Sequence, residues 1–325
     1  MSSLTITYIF LITTILISLF CRDKRPAYLG IGITILAASY QGVINIVGIG
    51  ALSIFTAITY IYFNLQLNKV LKTSLFILIS LCFTLFAFHK VPGFFNILAI
   101  DKVQLSELSI TFTMYLNFDK VMPALIIFSI SDLYILEKQE SSGAIKYTLL
   151  SLLLCIAIIM VLSLISGYVL FEPKIPTILP IWAINNFFLV CMAEEVFFRG
   201  FLQRTLQNLL QYISENFRQD EFKGESAQRI KIREHRPVLQ NSLVSSFMNY
   251  AVPKQQILAI IIASLIFGVA HFQGGLIYIA LSTICGFFYG YGYYKTGKIL
   301  CSMIVHFGLN LCHLLLFTYP ALKII

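Results

Sequence analysis

The chain predicts an all-α, polytopic transmembrane bundle, on three observations. Of its 325 residues, 58% are hydrophobic and only 12% are charged, about half the roughly 25% of an average soluble domain. Mean hydropathy is +0.84, and the apolar residues fall in runs near the roughly 20 residues that cross a bilayer as a helix. The basic residues are also unevenly shared between the two sets of connecting loops. This composition excludes an ordinary soluble enzyme, a disordered regulator and a nucleic-acid-binding module, so no nucleic-acid partner is expected.

Taken in order, the apolar segments are ten: roughly 4–20, 27–43, 48–66, 73–89, 120–135, 147–170, 179–198, 256–272, 275–294 and 299–318. The first follows an uncharged Met1-Ser2-Ser3 and precedes Arg22, Lys24 and Arg25. That is the reverse of a signal peptide's charge order, so it reads as a retained helix. The second and third are short and closely joined. Between the fourth and fifth, His89 to Asp119 contains Pro92-Gly93 and a weakly amphipathic piece. It reads as a surface loop with a short interfacial helix. Tyr115 to Lys120 looks like a helix entry, with Asp119 placed to cap it.

Loops after odd-numbered segments hold eighteen of the Lys and Arg residues, and the other side holds five: Lys90, Lys102, Lys120, Lys174 and Lys323. Cytoplasmic loops collect basic residues, so both termini are expected outside the cytoplasm, in a bacterial inner membrane. The net charge of +8 follows from the same rule and needs no anionic partner. The seven cysteines form no CxxC pair and sit mostly in apolar runs, as small packing residues rather than disulfides or zinc ligands. Two units are expected: N-terminal membrane helices over 1–146, and a catalytic membrane core over 147–325 with a polar insertion at about 213–255. That insertion carries Arg229, Lys231, Arg233 and Arg236. It reads as a solvated cytoplasmic loop, with a lid or a docking site for a cytoplasmic partner as the functional alternative.

Ionisable residues inside apolar spans are costly and mark function. Few occur here: Glu194 and Glu195, followed by Arg199; His271; and His306 with Asn310, then His313. Asp132 is near a helix end and reads as interfacial. Glu195 and Arg199 share a helix face at i, i+4, as do Phe267 and His271, and His306 and Asn310. Glu194 is turned by about 100° from Glu195, so one carboxylate can face a cavity while the other bonds Arg199. Three helices each offering a polar stripe are most simply explained by one shared cavity. Two carboxylates, two imidazoles and an amide suit a general base acting on water, with donors for an oxyanion. Glu and His can also hold a metal, but there is no HExxH motif, so no cofactor is expected and the metal-free form is preferred.

The stripes Glu194-Glu195-x-x-x-Arg199, Phe267-x-x-x-His271 and His306-x-x-x-Asn310 resemble, in order, the three motifs of the CPBP family. This family comprises CAAX prenyl endopeptidases, bacteriocin-processing enzymes and related immunity proteins. The run Arg199-Gly200-Phe201-Leu202-Gln203 is similar to its usual continuation, and the resemblance covers about 179–318. It implies a glutamate-type intramembrane endopeptidase acting on a membrane-embedded or lipidated protein or peptide. Carried over, Glu194 activates water beside His271, His306 and Asn310 stabilise the oxyanion, and Glu195 and Arg199 orient the site. The long insertion and the six preceding helices depart from the simple family picture. A sorting-tail or peptide-maturation protease therefore fits as well as a CAAX protease. A proton-coupled carrier also uses intramembrane Glu and His, and an immunity or scaffold protein would keep the fold without catalysis.

The segment bounds raise one conflict. At about 1.5 Å per residue, Glu195 and His306 lie some 6–10 Å inside the cytoplasmic ends of their helices, and His271 about 22 Å. They meet only if the eighth segment begins outside the bilayer or tilts, or if the seventh continues past Arg199. The sequence from Arg199 to Tyr212 is helix-compatible.

Overall fold

The computed structural model describes residues 4–131, 143–215 and 254–323. Every apolar segment read from the sequence is a helix. They are α1 Leu4–Phe20, α2 Arg25–Tyr40, α3 Ile46–Asn64, α4 Lys69–Ala87, α5 Phe118–Ile130 and α6 Ala144–Ile165. There follow α7 Leu179–Glu215, α8 Lys254–Ala270, α9 Gly275–Thr296 and α10 Ile299–Leu316. Only six of these, among the described residues, are long and apolar enough to cross a membrane: α3, α4, α6, α7, α9 (with the preceding turn from Phe272) and α10. The expectation of about ten spans is not confirmed. It took apolarity alone as the mark of lipid contact, and α5 shows why that fails. This helix has 13 residues, and all of them except Lys120 are buried. Such a helix is apolar all round because protein surrounds it. It packs against α1, α3, α4 and the middle of α7.

Local signals fix the helix ends. Asn45 accepts from the backbone N–H of Val47 and Gly48 at the start of α3, and Asn68 accepts from Leu71 at the start of α4, each satisfying donors that a helix start leaves open. Helix α9 ends at Gly297, which is left-handed (φ 67°) and donates to the Tyr293 carbonyl at 2.7 Å, as a glycine stop does. Asp119 is not the cap of α5; it lies inside the first turn, and Asn117 precedes it.

Two further readings are corrected. The stretch between α4 and α5 holds no interfacial helix. It is an antiparallel hairpin, β1 Ile97–Val103 with β2 Phe112–Leu116, pairing Ile97 with Leu116 and Val103 with Phe112. And α7 does not stop at 198 but runs to Glu215 over 37 residues, about 55 Å at 1.5 Å per residue. That resolves the depth conflict, because α7 extends well beyond a hydrocarbon core of roughly 30 Å. Helix α7 thus reaches into the start of the expected insertion, and α8 begins at Lys254 near its end. Residues 216–253, with the basic residues from Arg229 to Arg236, lie outside the described residues, as does Asp132.

The C-terminal helices pack tightly. α8 and α9 form a hairpin, and α6 and α10 pack against α9. A Cβ on Gly268 would meet the Ile279 carbonyl oxygen at 2.7 Å and Thr283 Oγ1 at 1.9 Å. Gly286 would place one 3.1 Å from the Ser264 backbone, Gly290 one 2.5 Å from Gln203 Oε1, and Gly292 one in ordinary contact with Ser151. The glycines therefore serve close helix approach. His271 follows the last turn of α8, at the tip of the hairpin.

Candidate active site

Helix α7 changes its winding around the first motif. Met192–Glu195 is α-helical and lies between two π-helical stretches, Asn185–Cys191 and Val196–Gln203. Wider π-turns of this kind are frequent at functional sites. The two carboxylates leave the helix in different directions, as their rotation requires. Both are buried.

Glu195 is held from three sides. Its Oε2 accepts from Arg199 Nε at 3.0 Å and from the Ser302 hydroxyl, and its Oε1 faces His306 Nδ1 at 2.8 Å. Arg199 is fully buried, so it is no surface anchor. Its Nη1 and Nη2 have no hydrogen-bond partner among the described residues. Instead the guanidinium lies over the Phe267 ring at 4.9 Å, with Tyr289 at 5.7 Å and Phe198 at 5.9 Å. Cation–π attraction strengthens when the cation is desolvated, and this gives Phe267 of the second motif a direct contact with Arg199 of the first.

Glu194 points to different partners. Its Oε1 accepts from Lys120 Nζ at 2.5 Å. Its Oε2 is buried without a hydrogen-bond partner, 3.9 Å from His271 Nε2 and 4.0 Å from His306 Nε2. The imidazoles are oriented from behind. His271 Nδ1 donates to the Phe267 carbonyl at 2.7 Å, and His306 Nδ1 faces the Glu195 carboxylate. Both faced atoms are acceptors, so each Nδ1 carries a proton and each Nε2 looks towards Glu194. His306 is stacked on Tyr289, 4.5 Å between centroids, and the His271 ring lies 4.6 Å from that of Phe267. Asn310 Nδ2 donates to Asn186 Oδ1 at 3.2 Å.

The structure thus brings His271 and His306 within 4.0 Å of the Glu194 carboxylate and ties Glu195, Arg199 and Phe267 around them. A cavity of about 60 Å³ is lined by His271, His306, Asn310, Phe267 and Tyr289, with Tyr278 and residues of α6 opposite. Roughly 10–15 Å³ holds one water, so the space admits a few. His313 also lines it, with Nε2 facing the Thr318 carbonyl at 3.2 Å. Among the described residues no group of three His, Cys, Asp or Glu side chains is arranged to hold a metal ion.

Three site neighbours carry no site role on the sequence alone. Ser302 lies four residues before His306 and continues its stripe by one turn, a signal that was available. Asn186 belongs to a rare amide pair, Asn185-Asn186, inside an apolar run. Lys120 comes from α5, 74 residues before Glu194 in the chain, and nothing local connects the two. It follows Asp119, whose carboxylate faces His89 Nδ1 at 2.7 Å and accepts from Asn96 Nδ2 at 2.8 Å.

Among known proteins, residues 235–312 match the family model described as type II CAAX prenyl endopeptidase Rce1-like. That span contains the second and third motifs. Curated relatives share only short pieces with the chain. A chaperone protein HscA homolog of Rickettsia felis is 79% identical over 43 residues, 13% of this chain and 7% of that protein. A UDP-N-acetylmuramoylalanine–D-glutamate ligase of Rickettsia conorii is 74% identical over 46 residues, 14% of this chain and 9% of that one. A tRNA (guanine-N(1)-)-methyltransferase of Rickettsia bellii is 55% identical over 58 residues, 18% of this chain and 20% of that one. The chain spans a fifth or less of each, and short matches to a chaperone, a ligase and a methyltransferase carry no common chemistry. No solved structure matches. Residues 235–312 are thus similar to a family of CAAX-type proteases, and the chain carries apolar helices able to cross a membrane, as an integral membrane protein does.

Proposed function

We propose that the chain is an intramembrane endopeptidase in which Glu194 activates the attacking water. The observation that carries this reading is the buried Oε2 of Glu194, without a hydrogen-bond partner and facing two imidazole Nε2 atoms at 3.9 and 4.0 Å. A water between Glu194 and His271 can donate to both, since acceptors about 4 Å apart each lie within hydrogen-bond reach of one oxygen. As the water oxygen bonds to the scissile carbonyl carbon, its proton passes to Glu194. The proton is then returned to the amide nitrogen as the C–N bond breaks. Asn310 keeps one amide N–H beyond that given to Asn186 and serves the developing oxyanion. His306 lines the same cavity, its Nδ1 facing Glu195 Oε1 at 2.8 Å. The positive charge facing Glu194 is the Lys120 ammonium, and we read the reaction as metal-free.

The substrate class is a membrane-embedded or lipidated protein or peptide precursor, and the basic loops favour a cytoplasmic face for the projecting end of α7. The test compares membrane proteomes of matched strains carrying the wild-type chain or Glu194→Ala, with the termini of every membrane protein mapped. New termini present only with the wild type establish the protease and name its substrates. Identical termini at equal protein levels refute it in favour of a scaffold or a carrier.

A further inference from the structure

A second and larger cavity, of about 460 Å³, opens between α3, α4 and the projecting half of α7. It has the size of a small-molecule site and shares no lining residue with the catalytic cavity. Its wall carries three cations, Lys69, Lys72 and Arg204, and no carboxylate. None of the three has an Asp or Glu within 4.0 Å among the described residues. Lys69 Nζ lies over the Tyr212 ring at 4.1 Å and Lys72 Nζ over that of Tyr62 at 5.7 Å. Both lysines stand at the start of α4, where the helix dipole already disfavours cations, and the first turn holds no acidic residue. Three like charges around one cavity repel one another, and an anion entering it relieves that repulsion.

The surroundings select the kind of anion. The cavity lies where α3 ends and α4 begins, at one end of two membrane-crossing helices, beside the part of α7 that projects beyond them. This is headgroup depth. Phe63, Phe76 and Leu209 supply apolar wall, while Thr73, Thr205 and Asn208 supply neutral hydrogen-bonding groups. We propose that this cavity binds the headgroup phosphate of an anionic phospholipid, with Lys69, Lys72 and Arg204 pairing the phosphate and the aromatic wall seating the glycerol and upper acyl chain. Gly200, one residue beyond Arg199, is also in the wall, so an occupied site bears directly on the helix that carries Glu194.

The test is lipid retention by the purified full chain in detergent micelles doped with dioleoylphosphatidylglycerol, read by native mass spectrometry. The wild type should retain one phosphatidylglycerol in preference to phosphatidylcholine. The triple variant Lys69→Gln, Lys72→Gln, Arg204→Gln should weaken retention by about a hundredfold, each basic residue near an anionic lipid being worth about fivefold. A control with the same loss of charge at the other end, Lys90→Gln, Lys102→Gln, Lys323→Gln, should retain the lipid like the wild type. Should the triple variant fail to fold, Lys72→Gln alone should show about a fivefold loss. Unchanged retention in the site variants, or equal loss in the control, overturns the proposal. Displacement of the lipid by millimolar inorganic phosphate overturns the lipid assignment in favour of a free-anion site.

Discussion

Replacing Lys120 by Met tests whether the cation from α5 belongs to the site or merely lies near it. Lys120 Nζ is 2.5 Å from Glu194 Oε1, with side chains 17% and 8% exposed. Taking one partner from a buried ion pair costs about 3–5 kcal/mol, because the remaining charge is left in a dry setting. The partial exposure of Lys120 puts the expected loss at the lower end, about 3 kcal/mol. Glu194→Gln added to Lys120→Met removes the stranded charge, so the double variant should regain about 2 kcal/mol of that loss, a coupling in the range that contacting residues show. The chain has a single tryptophan, Trp182, which is buried and donates from Nε1 to the Tyr319 hydroxyl at 3.0 Å. Its emission in detergent is a direct monitor of unfolding, and cleavage of an identified substrate gives the second readout. Lys120→Met should also lower cleavage by at least tenfold, since Glu194 loses the group that fixes its carboxylate, whereas Lys120→Arg should keep most of the stability. Additive effects of Lys120→Met and Glu194→Gln would refute the reasoning and make the pair a surface contact.

Three further outcomes are expected. Gly268→Ala pushes a methyl against the Ile279 carbonyl oxygen at 2.7 Å, a rigid neighbour, and should destabilise by about 1–3 kcal/mol, the usual overpacking cost; a wild-type melting curve would show that α8 and α9 can part freely. Ser302→Ala removes a donor to Glu195 and should cost about 1–3 kcal/mol, the desolvation cost of a buried group left short of a partner, with cleavage reduced; thermal unfolding and turnover measured side by side check this. Prolonged dialysis against a strong chelator should leave cleavage unchanged, and recovery of lost activity by zinc alone would reverse the metal-free reading.

The pairings within the candidate site were largely legible because each motif is local. Residues four apart on a helix share a face wherever that helix ends up, so the pairs at 195/199, 267/271 and 306/310 could be read without the fold. What could not be read depends on contacts between distant segments. Lys120 stands in an apparent helix entry, and only the packing of α5 against α7 turns it into the partner of Glu194. The count of spans turns on contacts of the same kind. The apolar residues of α5 are buried in protein, and hydropathy does not distinguish a protein interior from lipid. The β-hairpin was missed because seven strand residues with an irregular register, shifted between Leu98 and Ile100 and again between Ile100 and Val103, present a weak alternation.

The ends of α7 and α8 carry a consequence for how this gene can change. Gln255 Nε2 donates to Ser214 Oγ at 2.8 Å, so the chain leaves the described core and re-enters it at one point. The two helix ends are thus held together by a contact of their own. An in-frame gain or loss of codons there leaves both helix ends, and the motifs beyond them, in register. The seam between Ser214 and Gln255 is thus where the reading frame can absorb added length while the helical core stays the same.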